Sequence, residues 1–541
     1  MLNQPTEAAI LPAHETSIRG IMDNFERLLT SDLLPTAVVA QSVDNQWIPP
    51  ELLGDVMKRG KSILDVQEKL ERLARADYIR ALINSPQVLV NRAFLYNNPL
   101  IFKDFTEESP DRDSFIALAN SGAIVQFLLG ERRPDDRPAA LSNEAAANYT
   151  VLQEGWEAWR GVVNRARVHS ARFSWDSDTE NSEQLKQRLA RKFTEGVMRL
   201  VTLEPQALSA DLGIDLSTAR DLRQHLATVT AHSAELAGSG ELVTREKLYQ
   251  KFIVQDGTTP AEGRYDLRKP HCGLTKQLID LAYNVNMAAG VERLALTPAL
   301  GMHRSILQEW RPPLRDPENR ISAPELADLL SGAAFDFVQQ TLYLQSFRDL
   351  TIRDVEKIRD SDEWLLYSKN LSELLASPFD MFENEESGAK ALMDSYVGVL
   401  RKSTRVALKR PVATAPTTEP RDFAVALGVE VAGSTFSYCF GPTGPEIAVT
   451  GGALAAGAAN VVVRLGVRGW NGMRRKRAWT AELDNRVQLM SGWVNSADEF
   501  WRDFLTRFEG VPGTDQAREL LLTRHSAASM DREPGDDYSS F

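Results

Sequence analysis

The residue types best suited to chemistry gather around two short apolar runs. Asn91 and Arg92 lie in Val88–Leu95, and Glu131 and Arg132 follow Ile124–Leu129. If the runs are neighbouring parallel strands, their carboxyl ends bring these four side chains to one edge, where open α/β sheets bind ligands. Asn91 and Arg92 would orient an anionic substrate there, and Glu131 would serve as a general base. The plainer reading makes Arg132 and Arg133 linker charges, because the stretch 131–143 (ERRPDDRPAALSN) is charged and proline-containing.

A second grouping is cationic. Arg464, Arg468, Arg474, Arg475, Lys476 and Arg477 follow the run 447–463 (IAVTGGALAAGAANVVV), which carries no charge. An apolar run flanked by basic residues is the pattern of a membrane-inserting helix with its positive charges at the cytoplasmic surface. The small residues Gly452 with Ala456, and Ala453 with Gly457, would let two such helices approach closely. Magnitudes oppose insertion. The strongly apolar residues contribute roughly -2 to -4 kcal/mol, and Thr450, Asn460 and the glycines offset much of that. The run also falls short of the roughly 20 residues a bilayer core asks for. The competing expectation is a tightly packed segment buried against the strand at 423–431, with the arginines a solvated face or an anionic-lipid contact.

Metal and nucleophile patterns are weak. His225 and His232 fall on one helix face two turns apart, too far to share an ion. His271 adjoins Cys272 without a third ligand at metal-site spacing, and His169 stands alone. Asp354, Glu356 and Lys357 echo a metal-dependent nuclease signature, but such signatures sit on strands, and Thr351 caps a helix here. No phosphate-binding loop, dinucleotide fingerprint or nucleophile elbow occurs, and neither a cofactor nor a metal is expected.

Composition narrows the partners. A formal charge of -12 argues against general nucleic-acid binding, which needs clustered cations. Two cysteines, Cys272 and Cys439, exclude a disulfide framework and fit a reducing cytoplasm. The first residues lack a signal-peptide core, so the expected location is cytoplasmic, with membrane association in the alternative.

Helix signals dominate from residue 15 to about 410. Ser62 with Asp65, Ser322 with Glu325 and Thr351 with Asp354 are capping-box patterns ahead of apolar residues at helical spacing. Further helices are expected at 145–166, 183–203, 216–237, 273–288 and 479–507, the last carrying Trp493, Phe500, Trp501 and Phe504 as core knobs or a partner-docking face. Between 80 and 135 the order strand, helix, strand implies a parallel βαβ unit. Residues 403–421 (STRVALKRPVATAPTTEPR) read as an extended linker, followed by alternating strands at 423–440.

The expected fold is mainly α and multi-domain. An N-terminal region (1–143) holds the small α/β unit at 80–135, and a helical body spans 144–402. A mixed α/β module (422–511) follows the 403–421 linker. The tail, 512–541, is expected to be disordered from about 526. The leading functional expectation is a cytoplasmic protein-interaction or regulatory protein without a catalytic motif. The alternatives are a membrane-active effector inserting 447–463, and an enzyme acting on a small anionic substrate through the 80–135 unit.

Overall fold

The computed structural model describes residues from 25 to 174, 182 to 297 and 347 to 409, with gaps in each, together with Ile306, 479–484 and 487. These are mainly helical, and they contain a sheet of six strands, β1 (Phe25–Leu28), β2 (Val38–Ala40), β3 (Val88–Asn91), β4 (Ile124–Phe127), β5 (Val168–Ala171) and β6 (Leu296–Thr297), in the order β1-β5-β4-β3-β2-β6. Every pairing is parallel.

Helices α1 (Gln67–Asn84), α3 (Arg112–Asn120) and α4 (Tyr149–Val163) connect β2, β3, β4 and β5 in turn, with the short α2 (Pro99–Phe102) ahead of α3. Stepping one way across the sheet, these right-handed crossovers place their helices on one face. There Val38, Val88, Val90, Ile124 and Val168 pack with Tyr78 and Leu82 of α1, Phe115 of α3, and Trp156 and Trp159 of α4. From β5 the chain runs back past β4, β3 and β2 to reach β6, and the reversal puts its helices on the opposite face. These are α5 (Ser182–Met198), α6 (Pro205–Leu212), α7 (Leu216–Gly238), α8 (Arg245–Phe252) and α9 (Cys272–Gly290). They cover the alternate strand residues Val39, Leu89, Val125, Phe127 and Ala171. Both sheet faces are therefore buried, as a parallel sheet requires.

Three further helices, α10 (Ile352–Arg359), α11 (Asp362–Ala376) and α12 (Gly388–Leu408), join the first face. They are keyed to the C-terminus of α1, whose last carbonyls lack intrahelical donors. Arg359 donates to the carbonyls of Leu82 at 2.5 Å, Ser85 at 2.9 Å and Pro86 at 2.6 Å. Trp364 Nε1 donates to Ile83 O and Tyr367 Oη to Asn84 O, while Tyr396 Oη donates to Asn84 Oδ1. The Thr351–Asp354 capping box starts α10 as its spacing implies. Trp479 and Leu483 also enter this core.

Several expectations change. The pair at 88–91 and 124–127 is parallel with a helix between, but it is the centre of a wider sheet rather than a separate unit. The division at 143/144 runs through that sheet, because β5 and β6 come from beyond it. Residues 403–408, the start of the expected linker, continue α12 and bury Ser403, Thr404 and Ala407, since Val399, Leu400, Ser403 and Ala407 keep helical spacing. The capping patterns at Ser62 and Ser322, the strands at 423–440, most of the 422–511 module and the 512–541 tail lie outside the described residues.

Candidate functional site

The chain leaving β4 enters α4 on one face, and the chain leaving β5 enters α5 on the other. A doubly wound sheet opens a crevice where neighbouring strands send their exits to opposite faces, outside the carboxyl ends. In this protein that point falls between β4 and β5. Leu128 N–H donates to Ala171 O, extending the pairing to the carboxyl ends of β4 and β5.

Gln126 of β4 and Ser170 of β5 are register partners there. Strand alternation places both with Val90, Ile124 and Val168, toward α1, α3 and α4. Each is 1% exposed, yet among the described residues Gln126 Oε1 and Nε2 and Ser170 Oγ have no hydrogen-bond partner. A buried polar group left unmade costs about 1–3 kcal/mol, and native proteins rarely keep one without a reason. Arg172, two residues beyond Ser170 on the same strand line, brings a buried guanidinium that makes contacts of its own. Asn91 closes β3 as the register partner of Phe127, buried and likewise partnered. Phe127 and Phe173 pack at 5.9 Å between ring centroids beside this edge, and Ser174 N–H donates to Gly290 O at 2.8 Å.

A second polar cluster involves the segment leaving β2. Arg245 of α8 donates to Asp44 Oδ2 at 2.7 Å, approaches Asp280 Oδ1 at 3.6 Å and lies 3.8 Å over the Tyr283 ring. Lys276 Nζ donates to Asp280 Oδ2 at 2.5 Å, Tyr249 Oη donates to Asp280 Oδ1, and Asn284 Nδ2 donates to Asp44 Oδ2 at 3.3 Å. Burial pushes the Asp280 carboxyl up, against the opposing pull of Lys276 and Arg245. Burial also drives the Tyr249 phenol well above its usual range. Burial works against the Arg245 charge, but Asp44, the flanking tyrosines and Asp280 outweigh it and hold the guanidinium protonated. Two acids and two cations cancel, and each is engaged. The cluster is therefore a clamp that ties α8 and α9 to the exit of β2, and no reacting group is left over in it.

His225 and His271 face each other with ring centroids 5.9 Å apart, and His225 and His232 each pack edge-on against Phe252. Burial, then the nearby His271, lowers the His225 pKa, and burial pushes the Cys272 thiol up. Among the described residues no group of three His, Cys, Asp or Glu side chains is arranged to hold a metal ion, and no helix is long and apolar enough to cross a membrane.

Of the sequence candidates, Asn91 stands at the sheet's carboxyl edge, whereas Arg92, Glu131 and Arg132 lie outside the described residues. So do the 447–463 run and Arg464, Arg468, Arg474, Arg475, Lys476 and Arg477. Sequence reasoning missed Gln126 and Ser170. The available signal was a lone amide inside IVQFL and a hydroxyl inside VHSA, polar residues at strand positions that alternate toward the core. It also missed the i, i+4 series Lys276, Asp280 and Asn284 on the buried side of α9. No family model, curated protein or solved structure matches the chain.

Proposed function

We propose that the protein binds a small anionic ligand at the carboxyl edge of its sheet, in the crevice between β4 and β5. The observation that carries this reading is the coincidence of the switch point with buried, unsatisfied Gln126 and Ser170. Arg172, one residue past the end of β5, carries a buried guanidinium at this edge, and Asn91 carries an amide one strand beyond β4. This is the chemistry expected of the 80–135 unit, moved one strand along to include β5. A thermal-shift and calorimetric panel of inorganic phosphate, pyrophosphate, ribose 5-phosphate and citrate tests it. At least one anion should raise Tm with wild-type protein. Arg172→Gln should lose that binding, and retained binding would refute the placement.

A second reading, a regulatory surface for a protein partner, is favoured by Leu365 and Leu366 of α11, which are 54% and 52% exposed side by side. Leu365→Asp/Leu366→Asp should leave folding intact and abolish co-purification of any stoichiometric partner. An unchanged set of partners would exclude this face.

A further inference from the structure

Gln126 and Ser170 carry more information than an anion site requires. A glutamine side chain offers one donor group and one acceptor side by side whichever way round its amide is placed, and a serine hydroxyl can do either. Among the described residues, both ends of the Gln126 amide and the Ser170 hydroxyl are buried and unsatisfied together. A carboxylate or a fully ionised phosphate presents acceptors alone and would leave the Gln126 carbonyl unmet. A planar group with an adjacent donor and acceptor satisfies both ends at once, as in the pairing of glutamine with an adenine edge.

We infer that the ligand carries such an edge, either a nucleobase or a primary carboxamide, read by Gln126 and Ser170 while Arg172 meets its phosphate. This specificity rests on the anion-site reading above. The strands lie about 4.8 Å apart, so side chains at paired positions on one face can grip the same planar group.

Isothermal titration of the full chain with the four common nucleoside monophosphates, nicotinamide mononucleotide and ribose 5-phosphate tests this. At least one base- or carboxamide-bearing ligand should bind tenfold or more tightly than ribose 5-phosphate. Which kind wins identifies the edge. Gln126→Leu and Ser170→Ala should each weaken the tightest ligand more than they weaken ribose 5-phosphate, and so shrink that advantage, and Gln126→Leu without ligand should melt no lower than wild type. Equal binding of ribose 5-phosphate and every other ligand would overturn the inference and leave the anion site standing. A Gln126→Leu protein that melts several degrees lower without ligand would also overturn it, because the amide would then be satisfied by buried water. Absence of binding by all six compounds would remove the anion-site reading as well.

Discussion

The Lys276–Asp280 pair should behave as a unit whose halves cannot be removed separately. Their side chains are 3% and 5% exposed and bonded at 2.5 Å. Lys276→Met leaves the Asp280 carboxylate with Tyr249 and the more distant Arg245, and Asp280→Leu leaves the ammonium without its carboxylate. Breaking a buried pair from one side costs about 3–5 kcal/mol, so the two single losses sum to roughly 6–10 kcal/mol. In the double variant neither charge remains. Arg245 keeps Asp44 at 2.7 Å, and the main residual loss is the acceptor for the Tyr249 hydroxyl, about 1–3 kcal/mol. The coupling between the two sites should therefore be at least about 3 kcal/mol. Equilibrium urea unfolding followed by circular dichroism measures all four proteins. A double-variant loss equal to the sum of the single losses would refute the view that this cluster is a self-compensating clamp.

Other perturbations follow from the same contacts. Arg359→Met should destabilise by about 3–5 kcal/mol in the same assay, because three carbonyls at the end of α1 lose a buried charged donor and Trp364 loses its stacked cation. Thr351→Ala should cost about 1 kcal/mol through loss of the capping box, while Thr351→Ser should cost a few tenths. His225 has a folded-state pKa below its unfolded value of about 6.5, so above that pH its neutral form carries no penalty. Stability should fall as pH drops below about 6.5, where the unfolded chain takes up the proton first, and His225→Leu should flatten that slope in a pH series of urea midpoints.

The helical majority was legible because long apolar periodicity and caps are local signals. α7 runs over Leu216–Gly238 against an expected 216–237, and α9 over Cys272–Gly290 against 273–288. The β3–α3–β4 order was legible because VLVN and IVQF are apolar runs flanking a helix stop at Ser121-Gly122. The remaining sheet was not. β2 has only three residues, β5 (VHSA) holds a histidine and a serine, and β1 (FERL) sets two adjacent charges between its bulky residues, so none gives a decisive period-two run. Their pairing also joins segments far apart in the chain, as β2 with β6 and β1 with β5. The site followed from the missing strands. Without β5 the reversal between β4 and β5 is invisible, and Gln126 reads as an ordinary polar residue beside an apolar run.

Hydrogen exchange of the full-length protein, with and without saturating pyrophosphate or ribose 5-phosphate, tests the central claim most directly because it needs no substitution in a buried edge. Binding at the switch point should slow exchange chiefly in peptides covering 124–128 and 168–174. Protection confined to other segments, or no protection from either anion, would contradict a ligand site between β4 and β5.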